Sequence, residues 1–313
     1  MKIFRNIEDI KGIKNGVVTT GSFDGVHVGH KVIINRLRNI AKMINGESVL
    51  ITFHPHPRRV LYPESEGKDL LLINSQREKI ELLRKAGLDN LVIINFTKEF
   101  AQTTSMDFVK NILLDKVQAK RIIVGFNHFF GHNKEGNYNQ LHDLAGECGF
   151  EVEEIPEQDI QNESVSSTKI RKALLDGDIQ RANAYLDHQY IIIGELTHGS
   201  EICKNLGLPT MSVFIDEDIK LIPPEGVYAV SFSCNEMYFR GMLNIRNSKT
   251  RFQPNHPNTC IDMHVFDFEE HLVGKTATIY FHKKIREVKN FSNQDEMKRQ
   301  LLYDKEMIDE LIF

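Results

Sequence analysis

The residues with the clearest chemistry are His27 and His30, which stand with Gly29 between them in the run Gly21-Ser22-Phe23-Asp24-Gly25-Val26-His27-Val28-Gly29-His30. Upstream, residues 16–20 are short, apolar and β-branched and read as a buried strand; downstream, residues 31–44 carry apolar side chains at helical spacing. The histidines therefore fall at a helix N-terminus, where unpaired backbone N–H groups and the helix dipole favour an anion. Gly25 and Gly29 let a phosphate approach the main chain, and two imidazoles can donate to phosphate oxygens as charge builds on them. This is the electrostatic help that displacement at phosphorus needs. The same spacing also fits a turn carrying two solvated histidines, and Asp24 fits a turn or cap residue equally well.

The surrounding pattern says what positions them. Residues 48–53, 90–94, 121–125 and 151–155 read as strands, with helices over 75–86, 105–117 and 137–148. Such alternation predicts a parallel sheet covered on both faces, with ligands beyond the carboxyl ends of its strands. The His27 turn, the loop 53–57 and the turn at Asn127 all follow predicted strands and are expected to converge there. Residues 168–185 read as one helix. From Tyr190 the strands 190–194, 227–232, 238–243, 263–268 and 276–281 follow without helices between them, which predicts a small antiparallel barrel or sandwich. A helix over 294–302 follows, and the domain boundary is expected near 184–189.

Length and composition agree: 313 residues suffice for two domains. A net charge of −4 gives no basic footprint for nucleic acid. No apolar run reaches membrane-spanning length and the first residues carry no signal-peptide core, so a cytoplasmic protein away from membranes is expected. Cys148, Cys203, Cys234 and Cys260 form no CxxC pair, which predicts buried thiols rather than disulfides or zinc. No pattern sets an oligomeric state.

The longer string TTGSFDGVHVGH resembles the signature of the HxGH nucleotidyltransferases, and specifically the bacterial riboflavin kinase/FAD synthetase family. Phe53-His54-Pro55-His56-Pro57 is similar to that family's FxPHP loop, residues 124–131 (VGFNHFFG) to its VGxN/DxxFG segment, and Ser166-Ser167-Thr168-Lys169-Ile170-Arg171 to its SSTxIR motif. The resemblance implies a doubly wound, parallel-sheet nucleotidyltransferase domain over 1–185, then an antiparallel β-barrel with a C-terminal helix over 186–313. The implied reaction transfers AMP from ATP to FMN, giving FAD and pyrophosphate, with Mg2+ held mainly by the ATP phosphates and no metal ligands from the protein. The FMN phosphate is the nucleophile, so no general base is needed. By resemblance His27, His30 and Arg171 are catalytic; Gly21, Phe23, Asp24, Gly29, Asn127, Ser166, Ser167 and Thr168 hold ATP; and His54, Pro55, His56 and Pro57 lie beside the flavin or nucleotide.

The resemblance weakens at the chemical positions of the second module, which in the family phosphorylates riboflavin. Its glycine-rich loop, GxxxGRxLGFPTAN, corresponds here to the run beginning at Gly199. Cys203 replaces a glycine, Lys204 the arginine and Ser212 the asparagine, while Thr210 remains. By resemblance Gly199, Lys204, Thr210 and Ser212 serve nucleotide and magnesium. The base, a glutamate in a V-E-x-H context, is Asp262, one methylene shorter. The family's NIGxRPTF corresponds to residues 244–251 (NIRNSKTR), with Arg246 in place of its glycine and its proline lost. A barrel that folds with a weakened or absent kinase is expected. A fully bifunctional enzyme with Asp262 as base is the alternative. A cytidylyltransferase or pantetheine-phosphate adenylyltransferase is disfavoured by the PHP loop and the barrel. A flavin-binding regulatory or scaffold protein fits the second domain alone.

Overall fold

The computed structural model describes residues 1–125, 129–155, 159–160, 163–199, 210–247, 256, 259–266 and 272–312. Asn127, Cys203 and Lys204 lie outside the described residues. The chain divides into two compact units, the first comprising 1–70 and 79–166, the second 71–78 and 167–313.

In the first unit, strands β1 (Lys2–Phe4), β2 (Gly16–Thr20), β3 (Ser48–His54), β4 (Asn90–Asn95), β5 (Ala119–Gly125) and β6 (Glu151–Ile155) form one sheet in the order β1-β4-β3-β2-β5-β6. Every pairing is parallel. Helix α1 (Val28–Met43) follows β2, α2 (Pro57–Leu61) follows β3, and α3 (Gln76–Lys85) precedes β4. A short α4 (Ser105–Asp107) runs on into a π-helix (Phe108–Lys116), and α5 (Tyr138–Cys148) leads to β6. Successive strand residues serve opposite faces. Leu50, Leu91 and Ile93 pack with Ile34 and Leu83, whereas Val49, Ile51, Val92 and Ile94 pack with Phe108 and Val109. Burial on both faces accounts for the near-continuous apolar strands. The chain leaves β2 toward β3 on one side and returns to β5 on the other. The crevice beyond β2 and β5 is therefore the topological switch point where such sheets bind ligands.

A two-stranded ribbon, β7 (Asp159–Ile160) with β8 (Glu163–Ser164), ends the first unit.

The second unit opens with α6 (Ser167–Leu175) and α7 (Ile179–Leu186). The single helix expected over 168–185 is thus two. Gly177 at φ 76° ends the first, and the Asp178 carboxylate accepts from the Arg181 backbone N–H to start the second. Strands β9 (Tyr190–His198), β10 (Thr210–Phe214), β11 (Gly226–Cys234), β12 (Met237–Asn247), β13 (Thr259–Val265) and β14 (Thr276–Arg286) close a barrel in the order β10-β13-β12-β11-β14-β9. Strand β10 was not expected from the sequence; β13 runs from Thr259 to Val265 where a strand over 263–268 was expected, and residues 267–268 lie outside the described residues. Helix α8 (Gln294–Leu311), expected to end near 302, extends further and packs Ile308 against Val227, Ala229 and Met242. Its buried Asp304 takes the Arg286 guanidinium in a bidentate pair, with Nη2–Oδ2 at 2.6 Å.

Residues 71–78 belong to this unit by more than proximity. Leu72 donates to the Ile219 carbonyl (2.7 Å) and accepts from Leu221 N–H (2.8 Å). Glu78 and Lys220 form an ion pair at 2.6 Å with both side chains wholly buried. Lys220 Nζ also donates to the carbonyls of Ile73 and Ile191 and sits 4.2 Å from the centre of the Tyr190 ring. Glu78 accepts from the backbone N–H groups of Ser75 and Ile193. These bonds satisfy two charges that burial alone would make prohibitive. Ser75 and Glu78 also form a capping box at the start of α3, with the Ser75 hydroxyl accepting from Glu78 N–H.

Candidate functional site

The β2–α1 connection is a tight, strained turn. Phe23 and Val26 adopt φ of 46° and 44°, and Gly25 lies between them at 98°. A β-branched residue in the left-handed region is uncommon, and each such non-glycine residue costs about 1–3 kcal/mol, so the surroundings must impose the shape. Burial of Phe23 and Val26 in the α1/α3 core supplies part of that constraint. The Ser22 carbonyl supplies more, accepting from Thr52 Oγ1 at 3.2 Å and from Lys79 Nζ at 2.7 Å.

This turn stacks three rings. His30 lies 4.4 Å from Phe23 and 3.7 Å from His27, both near-parallel. His27 is the N-cap of α1, yet its side chain makes no capping bond and the first turn holds no carboxylate. The helix start therefore keeps its electropositive character. Asp24 is buried on the same turn, and Gly21 and Gly29 flank it. Burial, then His27 and Lys79, hold the His30 imidazole well below its ordinary 6.5, so it is neutral at pH 7. Its Nδ1 is sequestered from solvent.

Lys79, which the sequence did not single out, is itself buried, with 3% of its surface exposed. It lies on the inner side of α3, one residue beyond the boundary of the second unit. Its charge acts on His54 as well as His30: burial, Lys79 and Arg5 push the His54 imidazole down. The signal that could have found it is a lysine on the buried side of an amphipathic helix.

The FxPHP loop follows β3, next to β2 at the same edge of the sheet. Phe53 packs edge-on against Phe96, His54 is exposed, and Pro55 follows it through a cis peptide bond. His56 and Pro57 begin α2: the His56 Nδ1 accepts from Arg58 N–H at 3.2 Å, and Pro57 takes the first helical position. His56 thus has a helix-starting task alongside the role the resemblance implies. Ser166 belongs to the first unit, whereas Ser167, Thr168 and Arg171 lie on α6 in the second, where Arg171 Nε donates to the Leu71 carbonyl at 2.8 Å.

The barrel gathers another set. Asp262 on β13 is paired in register with Ser212 on β10 and Asn244 on β12. Its Oδ1 accepts from the Ser212 hydroxyl (2.7 Å), and its Oδ2 from Arg246 Nη2 (3.0 Å) and the Cys260 thiol (3.4 Å). Arg246 occupies the position at which the resemblance expected glycine, so the guanidinium and the shortened carboxylate meet. Beyond Arg246 is a cavity of about 450 Å3 whose polar walls include Glu225, Asn247, Lys284 and Glu287. Gly199 approaches the Thr210 backbone so closely that a Cβ there would collide with the Thr210 carbonyl. Cys148, Cys234 and Cys260 are free thiols, the last two buried.

Comparison with known proteins matches both halves of the chain. A family model for FAD synthetase matches residues 10–169, and one for riboflavin kinase matches 186–312. The bifunctional riboflavin kinase/FMN adenylyltransferase of Buchnera aphidicola (Schizaphis graminum) is 33% identical over 98% of both chains. The chain belongs to the bifunctional riboflavin kinase/FMN adenylyltransferase family. Its Bacillus subtilis relative of the same name is 32% identical over 93% of this chain and 90% of that one. A crystal structure described as a macrolide-efflux protein from Streptococcus pneumoniae superposes with a TM-score of 0.86, at 27% identity over 98% of each chain. Among the described residues no helix of this family member is long and apolar enough to cross a membrane.

Proposed function

We propose that the β2–α1 site transfers the adenylyl group of ATP to FMN. An FMN phosphate oxygen attacks the α-phosphorus, the bond to the bridging oxygen breaks, and pyrophosphate leaves. The observation that carries this reading is the stacked His27–His30 pair at the start of α1, beyond the strands at the switch point. Imidazole N–H groups there can donate to phosphate oxygens, and no general base is called for in a reaction whose nucleophile is already an anion. Gly21, Phe23, Asp24 and Gly29 shape the turn around the phosphates. Ser166, Ser167 and Thr168 offer hydroxyl donors, Arg171 a planar cationic fork, and His54 to Pro57 a rigid edge for the flavin. Among the described residues no three His, Cys, Asp or Glu side chains gather as a metal cage. On this reading Mg2+ is carried mainly by the triphosphate, where it would neutralise phosphate charge. We assign this activity to residues 1–185 and the kinase-like barrel to 186–313. With small-molecule substrates and no basic footprint, the reading makes it a cytoplasmic enzyme.

The barrel is proposed to phosphorylate riboflavin weakly or not at all. A general base must present a carboxylate oxygen to the hydroxyl it deprotonates. Here Asp262 spends Oδ2 on Arg246 and Cys260 and Oδ1 on Ser212. The test is incubation with ATP, Mg2+ and either FMN or riboflavin, with flavins separated by chromatography. FAD from FMN, with neither FMN nor FAD from riboflavin, is the expected result. Product from riboflavin would make Asp262 the base of an active kinase and the enzyme fully bifunctional. No FAD from FMN would overturn the adenylyltransferase reading.

A further inference from the structure

A lysine buried to 3% exposure carries a charge that an apolar helix face does not need, because leucine would fill the same space without desolvation. Lys79 brings that charge to the start of the turn. Its Nζ donates at 2.7 Å to the Ser22 carbonyl, immediately before the three residues of positive φ. Thr52, near the end of β3, donates to the same carbonyl from another side. The carbonyl is thereby fixed by two elements, α3 and β3, and the strained turn begins from a point that cannot rotate freely. We propose that Lys79 is a positioning residue of the adenylyl-transfer site, holding the Phe23–Val26 turn through the Ser22 carbonyl so that His27 and His30 face the nucleotide in one fixed geometry.

The inference rests on the adenylyltransferase reading and deepens it. Charge supports the geometry. His30 is faced by His27 from the α1 cap and by Lys79 from α3, with the Phe23 ring on its other side and Asp24 buried on the turn. His54 is faced by Lys79 and Arg5. Lys79 thus adds to the burial that pushes both imidazoles down and brings positive potential to where a triphosphate would lie.

The test compares full-length wild type, Lys79→Met and Lys79→Arg in FAD formation from FMN and ATP with Mg2+, from about pH 5 to about pH 9, alongside thermal unfolding. Lys79→Met is expected to lose about a hundredfold in kcat, the loss typical of roughly 1 Å of misplacement, with KM for FMN changed far less. Without the cation His30 binds a proton more readily, so the acid limb of the pH profile moves to higher pH. Lys79→Arg, which retains charge and donors, is expected to recover at least about tenfold of the lost kcat and the wild-type acid limb. If Lys79→Met does not fold, Lys79→Gln is read for the same displacement of the acid limb. A kcat within about threefold of wild type, or a loss of rate with the acid limb unmoved, would overturn the proposal. Failure of the wild type to make FAD would remove the parent reading and this inference with it, and is separated from the other outcomes because it needs no variant.

Discussion

A neutral imidazole stacked between Phe23 and His27 cannot accept a proton without losing part of what holds it there. The His30 pKa is depressed on folding, so its contribution to stability is fully present above about pH 6.5 and is lost as pH falls through the folded value. Replacing His30 with Phe keeps a ring in the stack and removes the titration. The decline in Tm between about pH 7 and pH 5 is therefore expected to be shallower in that variant than in wild type, measured by scanning calorimetry. The same residues set the chemistry: His27→Ala or His30→Ala is expected to slow FAD formation by about 10²–10³, the usual loss of one donor to a developing charge. Asp262→Asn is expected to leave FAD formation from FMN within about twofold of wild type, since Asp262 lies in the other unit and serves none of this chemistry. At this scale the sequence was informative where a residue type was unusual for its place. The paired histidines and the Asp262–Ser212 substitutions stood out. Lys79 did not, because a lysine in a helix is ordinary until its face is known to be buried.

Elements were legible wherever periodicity was long. Strands β2, β3, β4 and β6 and helices α1 and α5 lie within a few residues of the pattern. What periodicity could not convey is how hydrogen bonds close within it. The π-helix Phe108–Lys116 carries the same apolar spacing as an α-helix, and three-residue β1 is too short to have a period. The helix pair α6 and α7 shared one continuous amphipathic pattern, and the Asp176-Gly177-Asp178 turn signal within it outweighs that pattern in the structure. Strand β10 was hidden because its first residues looked like the end of a nucleotide loop. Tertiary pairing with β9 and β13 decides it instead. The Glu78–Lys220 pair yields a prediction at this scale. Lys220→Met strands a buried carboxylate and is expected to destabilise the second unit by about 3–5 kcal/mol. Adding Glu78→Gln removes the stranded charge while keeping an acceptor for Ile193 N–H, and is expected to recover part of that loss in urea unfolding.

Across the whole chain, two domain-sized halves were visible from the change of pattern near Tyr190, but the assignment of residues 71–78 to the second unit was not. Those eight residues carry no strand or barrel signature; a backbone pairing at Leu72 and one buried ion pair place them there. A fragment of residues 186–313, cut to match the riboflavin-kinase family model, would lose Glu78 while keeping Lys220. Such a fragment is expected to be less resistant to urea than the same barrel in the intact chain, with a lower unfolding midpoint. The separation between the two charges also has a bearing on how the protein is made. Glu78 is polymerised 142 residues before Lys220, and at about 5–20 residues per second the interval on the ribosome is roughly 7–28 s. For that time a nascent chain holds a carboxylate whose destined cation has not yet been synthesised, so residues 71–78 cannot complete their place in the second unit until Lys220 has been added.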